Sequence, residues 1–127
     1  FQDLKLLVQT LHAAGADVQY VNIPSDGRWY DHIGIKKDRR EAVYKKIHST
    51  VVDNGGKIYD LTNKDYEKYV ISDAVHIGWK GWVYVDQQIA RHMDGHAPKN
   101  HEVDYSKNKP PHKHHNDRQD DQHQGNK

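Results

Sequence analysis

Cysteine is absent from the 127 residues, which excludes disulfides, thiolate nucleophiles and thiolate metal sites within the chain. No run approaches the ~18 apolar residues of a membrane-spanning helix, and no charged-then-apolar leader opens the chain, so any targeting element or anchor is expected upstream. A surplus of one charge is missing too. The 19 basic and 18 acidic residues leave a net charge of +1 and are spread along the chain, which gives no electrostatic footprint for nucleic acid. Apolar residues are scarce at 35%, with a mean hydropathy of −1.08. That balance implies an incomplete core, a disordered part, or both.

The scarcity is concentrated at one end. From His92 onward the only apolar residues are Met93, Ala97, Val103 and Tyr105, too little surface to offset the cost of ordering a chain, about 1–2 kcal/mol per residue. Residues 94–127 are therefore predicted to be a polar, His-rich, disordered tail, and residues 1–93 to carry the fold. The length allows one small domain. Phe1 is not an initiator Met, and helical periodicity starts at once without a cap. The expectation is that residues 1–93 are the C-terminal part of a larger α/β catalytic domain.

Within that part, Leu4, Leu7, Val8 and Leu11 repeat at the spacing of one helical face, and Gly15 follows as a left-handed stop. Val18 to Ile23 alternates and ends at Pro24, which reads as a strand followed by a loop from Pro24 to Asp31. From about Ile35 to Asn54 the set Val43, Tyr44, Ile47 and Val51 predicts a helix closed by Gly55-Gly56. Lys57 to Leu61 is a second strand. Strand, helix and strand make a βαβ unit with parallel strands, flavodoxin-like, whose carboxyl edge is where open α/β sheets bind ligands. A helical turn is expected over Asn63 to Tyr69. A last helix from Trp79 to Met93 should bury Trp82, Val83, Ile89, Ala90 and Met93 on the sheet.

Chemistry is concentrated in Ser72-Asp73-Ala74-Val75-His76-Ile77-Gly78-Trp79-Lys80-Gly81-Trp82. Asp73 and His76 are three apart, so in a helical or turn-like segment the carboxylate can accept a hydrogen bond from the imidazole. Such a pair is either a surface or capping contact or the orienter and base of an acyl-transfer triad. Ser72 adjoins Asp73, and adjacent residues on a helix or turn do not face each other, so it reads as a poor nucleophile for His76. Ser25, after the first strand, lacks the Gly-x-Ser-x-Gly setting of a strained nucleophile and reads as a turn residue. Trp29, Tyr30 and Asp31 could shape a pocket for an ammonium-bearing group, or Trp29 could simply pin its loop on the core. Trp79 and Trp82, three apart on the last helix, read as packing residues more readily than as a ligand platform. Most of the eleven histidines fall at or beyond His92, and His112, His114 and His115 predict weak, adventitious metal binding without a scaffold.

The Asp-x-x-His block followed by a glycine resembles the last block of the SGNH hydrolases. The resemblance is closest to their D-alanine transfer branch, the DltD family. It is carried by Ala13-Ala14-Gly15-Ala16-Asp17, Gly27-Arg28-Trp29-Tyr30-Asp31, Tyr44-Lys45-Lys46-Ile47 and, above all, His76-Ile77-Gly78-Trp79-Lys80-Gly81-Trp82-Val83-Tyr84-Val85-Asp86. It covers the first three-quarters of the chain and not the tail. It implies an SGNH-like fold, a membrane-anchored protein on the outer face of Gram-positive cells, and a Ser-His-Asp site that handles a D-alanyl ester during D-alanylation of lipoteichoic and wall teichoic acids. It implies neither cofactor nor metal. Asp73 and His76 match the catalytic Asp and His; the serine and oxyanion blocks belong upstream. Three functions follow as expectations: transfer of D-alanine from a carrier to teichoic acid, hydrolysis of D-alanyl esters with water as acceptor, or a non-catalytic module that recruits an acyl carrier or a membrane partner.

Overall fold

The computed structural model describes residues 1–98 and 103–111. In chain order it contains α1 (Gln2–Ala13), β1 (Gln19–Asn22), α2 (Gly27–His32), α3 (Lys37–Val52), β2 (Lys57–Asp60), a 3-10 turn (Thr62–Lys64) and α4 (Trp79–Met93). The strands are parallel, paired from Gln19 with Lys57 to Asn22 with Asp60, and α3 is the crossover between them. Gly15 and Gly55 take left-handed φ values of 71° and 86° at the ends of α1 and α3, the conformation that only glycine adopts without strain.

One apolar cluster joins Val8 of α1, Val51 of α3 and Ile58 of β2, with Leu4, Tyr20 and Val52 packed against them; Tyr44, Leu61, Val70, Ile71 and Val85 are buried as well. Polar order takes over at the carboxyl edge. Asp60 accepts from the Asn22 amide at 3.0 Å and from the Thr62 backbone N–H and hydroxyl at 2.9 and 2.5 Å, and lies 2.9 Å from His48 Nδ1.

Three expectations change. The stretch Pro24 to Asp31 is not wholly loop, because Asp26 caps α2 by accepting from the Trp29 N–H at 3.0 Å, so Trp29, Tyr30 and Asp31 stand on a short helix. Second, α4 turns the opposite face inward. Its buried residues are Gly81, Val85 and Gln88, while Trp82 is 52% and Met93 80% exposed and Val83, Ile89 and Ala90 are exposed as well. Its first turn lies on the Tyr69–Ile71 segment rather than on a sheet face, and its last turn reaches Asp17 through His92 at 3.7 Å.

Third, part of the stretch expected to be disordered is docked. Tyr105 and Asn108 are buried. The Tyr105 hydroxyl lies 2.5 Å from Thr62 Oγ1, Asn108 donates to Asp65 Oδ1 at 2.6 Å, and Lys37 and Asn63 donate to the carbonyls of Tyr105 and Asp104. Polar bonds to buried partners, together with the buried Tyr105 ring, hold this segment. His112, His114 and His115 lie outside the described residues. A chain ending at Asp94 is accordingly expected to lose at least about 2 kcal/mol of stability, since burying one large ring contributes about 1.5–3 kcal/mol and a hydrogen bond to a buried carboxylate about as much. Chemical denaturation of the two chains measures it. Identical unfolding midpoints would show that these contacts hold nothing.

Candidate active site

The Asp73–His76 segment is a tight loop, held at both ends by its own backbone. Ile71 and Ile77 form an antiparallel bridge, the Ser72 N–H donates to the His76 carbonyl at 2.8 Å, and the Ser72 hydroxyl donates to the same carbonyl at 3.2 Å. Ser72 thus braces the loop. Inside it, Asp73 Oδ1 accepts from the N–H groups of Val75 and His76, both at 2.9 Å, and Oδ2 lies 2.7 Å from His76 Nδ1. One carboxylate therefore shapes the turn and holds the ring. The two backbone N–H groups, with the ring as a third partner, push the Asp73 carboxyl down to about 2, so it is ionised throughout the neutral range. The His76 side chain is 78% exposed. With Nδ1 engaged by Asp73, Nε2 is the ring nitrogen left for a reacting group.

Two glycines let α4 seat this loop. Gly78 precedes the helix and donates its N–H to Val70 at 2.8 Å, and the Lys80 N–H reaches the Tyr69 carbonyl at 3.1 Å. A Cβ on Gly78 would run into the Tyr69 carbonyl, and one on Gly81 into the Val70 carbonyl and Ile77 at once. Both approaches are made by backbone, which has little room to give. Tyr69 itself has φ of 69°, an uncommon value for a residue with a side chain, and its ring stacks on Trp79 at 5.6 Å. Glu67 fastens the same turn, with Oε1 2.6 Å from Lys80 Nζ and 2.7 Å from the Tyr84 hydroxyl. Burial pushes its carboxyl up, but the bonds from Lys80, Tyr84 and Lys64 outweigh it and hold it at about 2.

The loop also meets α2. The Asp26 N–H donates to the Ala74 carbonyl at 3.0 Å, which brings the helix of Trp29, Tyr30 and Asp31 beside the Asp–His loop. Trp29 is exposed and set edge-on to His32 at 6.5 Å; Tyr30 is half-buried. Asp31 is committed elsewhere: Oδ1 pairs with Arg40 at 2.7 Å and Oδ2 accepts from the Tyr66 hydroxyl at 2.6 Å. Its negative charge is met by a guanidinium, which leaves Trp29 and Tyr30 as the free members of that trio. Ser25, on the same side, donates its N–H to the Tyr44 hydroxyl at 2.9 Å. Among the described residues no group of three or more His, Cys, Asp or Glu is placed to hold a metal, and no helix is long and apolar enough to cross a membrane.

The roles of Gly78, Gly81 and Asp26 do not follow from the Asp-x-x-His spacing. The paired Gly-Trp words are the trace of the two glycines in the sequence, and Asp26 has none there.

Fold and site together define a parallel α/β unit that offers a carboxylate–imidazole pair on an exposed loop beside the strand ends. The chain belongs to the DltD family, whose description is DltD protein and which matches residues 1–94. Protein DltD of Staphylococcus aureus (strain NCTC 8325 / PS 47) is 78% identical over 108 residues, 85% of this chain and 27% of that protein. Protein DltD of Bacillus subtilis (strain 168) is 39% identical over 89 residues, 70% of this chain and 23% of its own length. Protein DltD of Lacticaseibacillus rhamnosus is 26% identical over 90 residues, 70% and 21% respectively. The chain thus spans about a quarter of the length of the curated relatives that it matches.

Proposed function

We propose that this segment supplies the general base and its orienter to a D-alanyl transfer site in a full-length DltD. The observation that carries the reading is the Asp73 carboxylate, fixed by two backbone N–H groups and bonded to His76 Nδ1 at 2.7 Å while the ring stands open on its other side. A serine elsewhere in the full-length protein is the nucleophile. Nε2 takes its hydroxyl proton as the oxygen attacks the D-alanyl carbonyl of a carrier-bound donor, and the imidazolium returns that proton to the leaving group, which yields a D-alanyl serine ester. An acceptor hydroxyl of teichoic acid then loses its proton to Nε2 and attacks the ester, and serine departs with the proton. Asp73 keeps the tautomer and stabilises the imidazolium. Trp29, with Tyr30, offers an aromatic face to the D-alanyl ammonium; Asp31 braces α2 beneath it. In this reading the protein works at the outer face of the cell membrane, alongside the D-alanyl carrier and the polymer.

Incubation of purified full-length DltD with a D-alanyl donor and lipoteichoic acid tests the reading. D-alanyl ester should accumulate on the polymer with the full-length protein and not with the 127-residue chain. Release of free D-alanine alone would replace transfer by hydrolysis, and no turnover of the donor at all would leave a binding module.

A further inference from the structure

Beneath α2 lies a buried polar cluster that the chemistry of the loop does not use. Arg40, near the start of α3, is 4% exposed and has every side of its guanidinium engaged. Nε bonds Asp65 Oδ2 at 3.1 Å, and one terminal nitrogen reaches Asp31 Oδ1 at 2.7 Å and the Ile35 carbonyl at 2.6 Å. The other donates to the Tyr66 hydroxyl at 2.8 Å and pairs with Asp65 Oδ2 at 3.1 Å. Two carboxylates share one cation, and the second is completed by Asn108, which donates to Asp65 Oδ1 at 2.6 Å. The buried pair costs desolvation, and this cost is recovered only while the geometry is complete.

The cluster grips both ends of α2. The Gly27 N–H donates to the Asp65 carbonyl at 2.7 Å, and Asp31, in the last turn, is held by Arg40 and Tyr66. Gly27 sits so close to the Tyr66 ring that a Cβ there would collide with it, and the same Cβ would press on the Asp65 carbonyl. One residue before Gly27, the N–H of Asp26 meets the Ala74 carbonyl, inside the Asp73–His76 turn.

We propose that Arg40 and Asn108 are positioning residues for the Asp73–His76 loop, acting through Asp65 and α2 on the Asp26–Ala74 hydrogen bond. The catalytic consequence rests on the function proposed above; the mechanical one does not. A guanidinium is suited to the task because its planar fork reaches Asp31, Asp65 and Tyr66 at fixed angles, which a lysine ammonium cannot do. Asn108 brings in the docked 103–111 segment, so that a residue far along the chain bears on where His76 stands.

Asn108→Ala is the test, with Val8→Ala, a core truncation under α1, as a control for lost stability of any kind. Amide hydrogen exchange at Asp26 and the tautomer of His76 are read in the 127-residue chain, and kcat and KM in full-length DltD. In Asn108→Ala the Asp26 amide should exchange about tenfold faster or more, the Nδ1-protonated tautomer should lose population, and kcat should fall with KM unchanged; in Val8→Ala the Asp26 and His76 signals should stay as in the wild type. Arg40→Lys should reproduce the Asn108→Ala pattern. Wild-type exchange and tautomer in Asn108→Ala, or equal changes in Val8→Ala, overturns the inference. A loosened Asp26–Ala74 bond and a shifted His76 tautomer with unchanged kcat would instead uphold the positioning and bring down the catalytic role of His76.

Discussion

The full-length protein carrying His76→Ala is expected to lose D-alanine ester formation by a factor of about 10³–10⁶, the range over which loss of a triad base acts. The size follows from what the ring would do twice in each cycle of the proposed reaction. Without Nε2 neither serine nor the acceptor hydroxyl gives up its proton as it attacks, and no acid protonates the leaving group. The change should leave the fold intact, because the His76 side chain is largely in solvent and the loop is braced by Ser72 and by the two backbone N–H groups on Asp73. Ester content of the teichoic acid in cells with the variant, beside a melt of the purified protein, separates the cases. A folded variant with wild-type ester content would remove His76 from the chemistry.

Asp73→Asn should reduce the rate by about 10⁴, through a different route. Its amide oxygen can keep the two bonds from the Val75 and His76 N–H groups, so the turn survives. Its NH2 group, however, would face His76 Nδ1 as a donor. The imidazole then does best with Nδ1 unprotonated, and the proton moves to Nε2, where it blocks the base. The wild-type carboxyl resists acid, since it is held at about 2 against a usual 3.8. With the folded value below the unfolded one, the stabilisation it gives is complete above about pH 4 and is lost as pH falls towards 2. Asp73 therefore contributes no loss of activity between pH 5 and 8. A variant within tenfold of wild-type kcat would show that the carboxylate does not set the tautomer.

The sequence was legible wherever structure is local and periodic. Leu4, Val8 and Leu11, the alternation up to Pro24, and the glycines after α1 and α3 placed those elements within a residue or two, because each signal is generated by the element itself. The Asp73–His76 pair was legible for the same reason, since a three-residue spacing closes within one turn. α2 has only six residues, too few for a helical period to emerge from Gly27-Arg28-Trp29-Tyr30-Asp31-His32. The inward face of α4 departs from the expectation because side-chain size does not decide burial there. The helix is apolar on two sides, and close contact with the Tyr69–Ile71 backbone demands Gly81 where the larger Trp82 cannot fit. The docking of Tyr105 and Asn108 is not legible in the sequence because it depends on Thr62 and Asp65, remote partners whose hydrogen bonds leave no trace in composition.

The most direct measurement is the protonation of the two His76 ring nitrogens by long-range proton–nitrogen NMR, at a pH where the ring is neutral. The account predicts a proton on Nδ1, bonded to Asp73, and a bare Nε2, with the pattern reversed in Asp73→Asn. A proton on Nε2 in the wild-type chain would contradict it, since the open nitrogen of the ring would then have no lone pair to offer a serine.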